Sequence, residues 1–184
     1  MEEPLERKLQ RLIKLGIIER VESSKWATPI VIVRKPNGEI RLCADYSTGV
    51  NCLLVDNRHP LPNVESATAK LNGNAFFSVL DLSDAFFQLE IAEDHREITT
   101  IITPFGLFRY TRVPFGLKTA SAEFQEAMDN TLAGLDGVDA YLDDVIVRGS
   151  NRREHDLRFR KTLQRLEERG WKLRLDTNHT NHKR

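Results

Sequence analysis

Asp143 and Asp144 stand side by side in "DAYLDDVIVRG", residues 139–149, inside a run otherwise apolar enough for a buried strand. Neighbouring carboxylates repel each other, and burying either without a partner is costly. A cation relieves both penalties. Asp81, near the end of "NAFFSVLDLSDA", is the other carboxylate embedded in a strongly apolar strand context, whereas nearly all the rest lie on helix faces or in loops. Taken singly, each reads more readily as a structural cap or an ion-pair partner. Together, three hard oxygen ligands on adjacent strands make a seat for divalent magnesium, which keeps waters and takes substrate phosphates in its remaining positions. Two such ions ~3.5–4 Å apart would stabilise the attacking and the leaving oxygen of an in-line phosphoryl or nucleotidyl transfer. No local period links Asp81 to Asp143, so spacing alone does not bring them together.

The rest of the composition is permissive. A chain of 184 residues, 40% hydrophobic and 29% charged, can bury one sizeable core. Lys plus Arg equals Asp plus Glu at 27 each, so there is no overall electrostatic bid for a polyanion, although a basic groove can coexist with an acidic surface. No apolar run is long enough to span a membrane, and the polar, acidic start "MEEPLERKLQ" is no signal peptide, which points to an intracellular protein. Cys43 and Cys52 fit no ligand or redox spacing and are expected as free, mostly buried thiols.

These candidates need elements to hold them. Leu5, Leu9, Leu12 and Ile13 recur at helical spacing before Gly16, which predicts a short amphipathic helix closed by a glycine cap. "TPIVIVRKPNGEIRLCADY" predicts a hairpin turning at Pro36, Asn37 and Gly38, with Arg34, Lys35 and Arg41 bringing positive charge to its tip. A strand is expected from Phe76 to Leu82, then a break at "SDA" and a second run through Gln88, Leu89, Glu90 and Ile91. "TTIITPFGLFRYTRV" predicts a hairpin turning at Pro104, Phe105 and Gly106. Beyond Pro114 and Gly116 a helix is expected with Ser121 as N-cap and Phe124, Met128 and Leu132 on one face. A last helix, 152–169, should turn Phe159, Leu163 and Leu166 inward and end at Gly170. Strand pairs mixed with packed helices make the fold class α+β.

"SVLDLSDAFFQLEI", "TPFGLFRYTRVPFGLKTASAEFQEAM" and "YLDDVIV", in that order and at those intervals, resemble the reverse transcriptase domain of gypsy-type LTR retrotransposons and, more distantly, of retroviruses. The likeness runs from about Leu15 to Leu175. It implies one reverse transcriptase domain over 1–184: a right-hand palm of antiparallel sheet with packed helices, plus fingers hairpins. About 1–80 would be mostly fingers, and about 75–175 mostly palm with an inserted fingers part.

The implied activity is RNA-directed DNA polymerase, with two Mg ions, Mn a possible substitute, transferring dNTPs to a primer 3′-hydroxyl on an RNA or DNA template. By matching positions, Asp81, Asp143 and Asp144 are the catalytic, metal-binding carboxylates. Lys35 and Arg41 would close over the triphosphate. The backbone at Asp84 and Ala85 would receive phosphate oxygens. Phe86 would lie beneath the sugar, as a gate against a 2′-hydroxyl. Phe115 and Gly116 would pack against nucleotide and template, and Tyr141 would sit beside the primer end. The resemblance further implies membership of a longer polyprotein with RNase H and integrase, no membrane, and a cytoplasmic setting.

Two departures accompany the resemblance. Ser47 stands where the broader family usually carries Arg. After "RGWKLRLD" the family continues into a primer grip, thumb and RNase H, whereas residues 176–184, "TNHTNHKR" with the preceding Asp176, read as a frayed non-family tail. The alternative function is therefore an inactive, truncated transposon relic with at most weak nucleotide or nucleic-acid binding.

Overall fold

The computed structural model describes residues 2–34, 36, 39–57, 59–61, 72–141, 143–174 and 179–182, and only the backbone of Thr48 and of 179–182. The chain divides into two compact units, Met1–Asp56 with Phe86–Ala120, and Asn57–Ala85 with Ser121–Arg184. Lys35, Asn37 and Gly38, the tip of the expected first hairpin, lie outside the described residues.

The first unit opens with helix α1, Glu2–Lys14, whose Leu5, Leu9 and Leu12 form the buried stripe while Ile13 stays outside it. Glu2 and Glu3 in the first turn and Arg11 and Lys14 in the last complement the helix dipole. The helix stops at Gly16, with φ of +67°: the Gly16 N–H donates to the Ile13 carbonyl at 2.9 Å and the Ile17 N–H to Leu12 at 2.9 Å. Strands β1 (Ile18–Val21), β2 (Thr28–Arg34), β3 (Ile40–Ala44), β5 (Ile101–Thr103) and β6 (Gly106–Tyr110) build a sheet in the order β1-β6-β5-β2-β3. β2 and β5 run parallel; β2 with β3 and β5 with β6 are the expected hairpin pairs. Its core joins the α1 leucines to Ile18, Leu42, Ile101, Phe108, Tyr46 and Tyr110. Tyr46 is 1% exposed and donates its hydroxyl to the Thr99 carbonyl at 3.1 Å; burial pushes its phenol pKa well up. A short helix α2, Val50–Leu53, follows.

The second unit is an antiparallel sheet in the order β7-β8-β4-β9: β4 is Phe76–Asp81, β7 Val138–Tyr141, β8 Asp144–Gly149 and β9 His179–His182. Strict alternation buries Ser78 and Leu80 of β4 against Val145, Val147 and Gly149 of β8 on one face. Helix α3, Ala120–Leu132, contributes Phe124, Met128 and Leu132 to the core. Helix α4, Arg152–Glu168, begins where the Asn151 side chain accepts the Glu154 N–H at 3.0 Å and the Glu154 carboxylate accepts the Ser150 N–H at 2.8 Å. It ends at Gly170, φ +77°, with the Trp171 N–H on the Leu166 carbonyl at 2.9 Å. Leu166 is buried as expected, whereas Phe159 and Leu163 are half-buried. Within this unit Ser78, His155 and Asp156 form a hydrogen-bonded series (3.0 and 3.2 Å) that resembles a hydrolytic triad, yet Ser78 of β4 and His155 of α4 are both buried where helix and sheet meet.

Four local expectations change. The run 88–91 is not a strand: Ala85–Gln88 forms a 3₁₀ turn, Glu90 makes one isolated bridge to Arg112 with an ion pair at 2.8 Å, and Glu93–Thr99 is again 3₁₀. The left-handed Asp84, φ +47°, redirects the chain there. Ser121 lies inside α3 rather than capping it, because the helix already starts at Ala120. Cys52 is exposed and Cys43 half-buried, since α2 is too short to bury its outward side. His179–His182 pairs with Phe76–Val79 along the open edge of β4 instead of fraying, since that edge offers unpaired N–H and C=O groups.

Gly149 closes β8 directly beneath α4: a Cβ there would lie 2.6 Å from the His155 nitrogen and 2.7 Å from its Cα. Neither backbone atom can swing aside. Gly149→Ala should therefore destabilise the chain by about 1–3 kcal/mol, read as a lower urea midpoint with an unchanged slope.

Candidate functional site

The β4–β8 register that buries the apolar face also fixes three acidic positions in the second unit. Asp81 pairs directly with Asp144, and Asp144 with Tyr141 of β7, so Asp144 is flanked across both ladders. By alternation these residues share the face of Val79 and Ile146, opposite the core. Asp143 occupies the turn before β8, is exposed, and its carbonyl accepts the Leu82 N–H at 3.2 Å. The adjacent carboxylates are thus not equivalent: one sits on a turn, the other opens a strand.

Like charges placed directly opposite on a ladder are unfavourable. Partial burial and then the charge of Asp81 push the Asp143 carboxyl pKa above its usual range, with Arg174 acting in the other direction. Burial, Asp81 and Asp143, in that order, push Asp144 up. Asp81 has a cationic partner in Arg174, whose Nη1 donates to its Oδ2 at 3.1 Å and whose backbone N–H donates to its carbonyl at 2.8 Å. Among the described residues no group of three or more His, Cys, Asp and Glu side chains is gathered closely enough to hold a metal ion. The donor set nevertheless suits one: hard oxygens that raise each other's proton affinity are those whose repulsion a divalent cation relieves.

The remaining candidates are held locally. Lys35 lies outside the described residues. Asp84, at φ +47°, turns the chain after β4 and leads into the 3₁₀ turn that starts at the buried Ala85. Tyr141 is half-buried at the end of β7. In the first unit Arg41, Phe86 and Phe115 meet: the Arg41 guanidinium carbon is 5.7 Å from the Phe115 ring centre, and Phe86 meets the same ring edge-on at 5.2 Å. Phe87 adds a second edge-on contact to Phe115 at 5.5 Å. Gly116, φ +101°, brings its backbone so close that a Cβ would stand 2.9 Å from the Ala44 carbonyl.

Two residues that the sequence motifs did not single out complete this geometry. Asn51 donates its amide to the Gly116 carbonyl at 2.8 Å and accepts the Lys118 N–H at 3.0 Å, clamping the loop after Phe115. Arg174 supplies the cation at Asp81. Both act across 65 or more positions (|i−j| of 65 and 93), so no local period reveals them; the only available hint was a charged residue within the strand-like "WKLRL".

Asp144→Asn should raise the melting temperature of the metal-free protein at neutral pH. A carboxyl whose folded-state pKa is raised favours folding while protonated and loses that contribution as pH climbs from the ordinary carboxylate range through the raised value. The gain should accordingly shrink as pH is lowered below that range, which thermal melts at a series of pH values would show.

The sequence matches the reverse transcriptase (RNA-dependent DNA polymerase) family over residues 33–180. It is 40% identical over 173 residues to an uncharacterized protein of Caenorhabditis elegans, a match covering 93% of this chain and 14% of that protein. It is 37% identical over 155 residues to the retrovirus-related Pol polyprotein from transposon 412 of Drosophila melanogaster, covering 80% and 12% respectively. A Tf2 transposon polyprotein of Schizosaccharomyces pombe matches at 31% over 156 residues, 84% of this chain and 12% of that one. The chain thus spans under a fifth of the length of these relatives. Among solved structures, the foamy viral protease-reverse transcriptase in complex with double-stranded DNA superposes with a TM-score of 0.88 at 25% identity, over 97% of this chain and 31% of that one. No described helix is long and apolar enough to cross a membrane. The chain belongs to the reverse transcriptase family.

Proposed function

We propose that this chain is the fingers and palm portion of the RNA-directed DNA polymerase of a gypsy-type element, with the second unit carrying most of the palm and the first most of the fingers. The observation that carries this reading is the register that sets Asp81 opposite Asp144 on the face away from the core, with Asp143 on the adjoining turn. Asp81, Asp143 and Asp144 are the ligands for two Mg ions, or Mn in their place. When bound, the ions supply charge for activating a primer 3′-hydroxyl and for holding a dNTP triphosphate.

The other residues position the substrates. Arg41 offers a planar fork of donors to triphosphate oxygens, and Lys35 a point charge. The N–H groups at Asp84 and Ala85 receive phosphate oxygens, at a bend set by the left-handed Asp84. Phe86, held edge-on by Phe115, fills the space a ribose 2′-hydroxyl needs, so discrimination comes from a clash with the wrong sugar. Phe115 and the side-chain-free Gly116 present a close backbone to nucleotide and template, and Tyr141 abuts the primer end. The partners are a primed RNA or DNA template, dNTPs, and a longer polyprotein that includes RNase H and integrase, in particles assembled in the cytoplasm.

Primer extension on an RNA template with Mg and dNTPs tests the activity. The chain should extend the primer, and Asp143→Asn should lose about a hundredfold or more of that rate. Extension by neither folded protein would favour the inactive relic. In the same assay, Phe86→Ala should raise ribonucleotide incorporation relative to deoxyribonucleotide by about tenfold or more, and unchanged discrimination at normal activity would remove the gate.

A further inference from the structure

We infer that Arg174 is a resident counter-ion of the carboxylate site, occupying Asp81 when no divalent ion is bound and so setting how much of that ion the site requires. The inference rests on the reading of Asp81, Asp143 and Asp144 as metal ligands.

Three backbone connections place Arg174 there independently of its side chain. Leu173 bridges Leu82, the Ser83 N–H donates to the Lys172 carbonyl at 2.9 Å, and the Arg174 N–H donates to the Asp81 carbonyl at 2.8 Å. The segment after α4 is therefore strapped along the end of β4, and its guanidinium reaches the Asp81 Oδ2 at 3.1 Å.

A guanidinium and a divalent ion compete for the same carboxylate lone pairs. With two N–H-bearing nitrogens per fork, Arg174 neutralises part of a repulsion that a metal would otherwise have to be present to relieve. Its side chain is 47% exposed, so it can move into water without leaving a buried, unpaired charge. The pair is therefore displaceable: it stabilises the metal-free arrangement of Asp81 and raises the metal concentration at which that arrangement gives way.

Binding of Mn²⁺ to the purified chain, followed by loss of the free-ion paramagnetic resonance signal, tests this without any polymerase assay. Circular dichroism confirms that each variant is folded. Arg174→Met keeps the aliphatic stem and removes the charge, and should bind Mn²⁺ about two- to fivefold more tightly. Arg174→Lys should stay close to the parent chain, and in an Asp81→Asn background Arg174→Met should give no gain. Unchanged or weaker binding by Arg174→Met overturns the counter-ion role. Asp144→Asn separates this from failure of the underlying reading. If it weakens Mn²⁺ binding while Arg174→Met has no effect, the carboxylate site stands and only the role of Arg174 is lost. If Asp144→Asn leaves Mn²⁺ binding untouched, the ion is held elsewhere and the proposal falls with the site.

Discussion

The antiparallel register of β4 on β8 is the constraint on which the candidate site depends. It pairs Leu80 with Val145 and Ser78 with Val147 in the core, and in the same stroke pairs Asp81 with Asp144 on the opposite face. A slip of β8 by one residue against β4 would turn Asp144 into the interior and Val145 and Val147 out. That exchange would expose Val145 and Val147 and bury an unpaired charge, so the apolar face enforces a juxtaposition that electrostatics alone opposes. The repulsion is then a property of the site, written in the raised proton affinities of Asp143 and Asp144.

Much of this was legible in the sequence because it depends on short periods. The α1 stripe of Leu5, Leu9 and Leu12, the β5–β6 hairpin and the glycine that ends α4 all follow from patterns within a few residues. The 88–91 run departs from its pattern for a physical reason. The left-handed Asp84 leads into a 3₁₀ turn that takes up Gln88, and Leu89, Glu90 and Ile91 pair with 111–113 through a single bridge, too short a stretch for the alternation to build a strand. The pairing of Asp81 with Asp144 was reachable only through the ordered motifs of a family, since 63 positions separate the two and no local period crosses them. Arg174 and Asn51 lay beyond both kinds of signal. Each is one polar residue that meets its partner through tertiary packing.

The aromatic group in the first unit shows how a specific shape can be built from ordinary core materials. Phe86, Phe87 and Phe115 meet edge to face, Arg41 lies over one ring, and Asn51 ties down the loop that carries Phe115 and Gly116. Any one phenylalanine would pass as packing. Their mutual contacts fix ring orientations, and a fixed ring is what a steric filter requires, because a ring free to rotate would yield to an extra hydroxyl.

Stability and chemistry are separable in the second unit because they use opposite faces of one sheet. The inner face, with Ser78, Leu80, Val145 and Val147, holds the strands against α4. The outer face carries Asp81 and Asp144, whose charges contribute nothing to that packing and work against it electrostatically. Selection for the fold therefore does not by itself preserve the carboxylates, and loss of a carboxylate need not disturb the fold. Three acidic groups brought together at an electrostatic cost consequently say more about chemistry than the geometry of the sheet, which its apolar face would maintain in an inactive chain as well as in an active one.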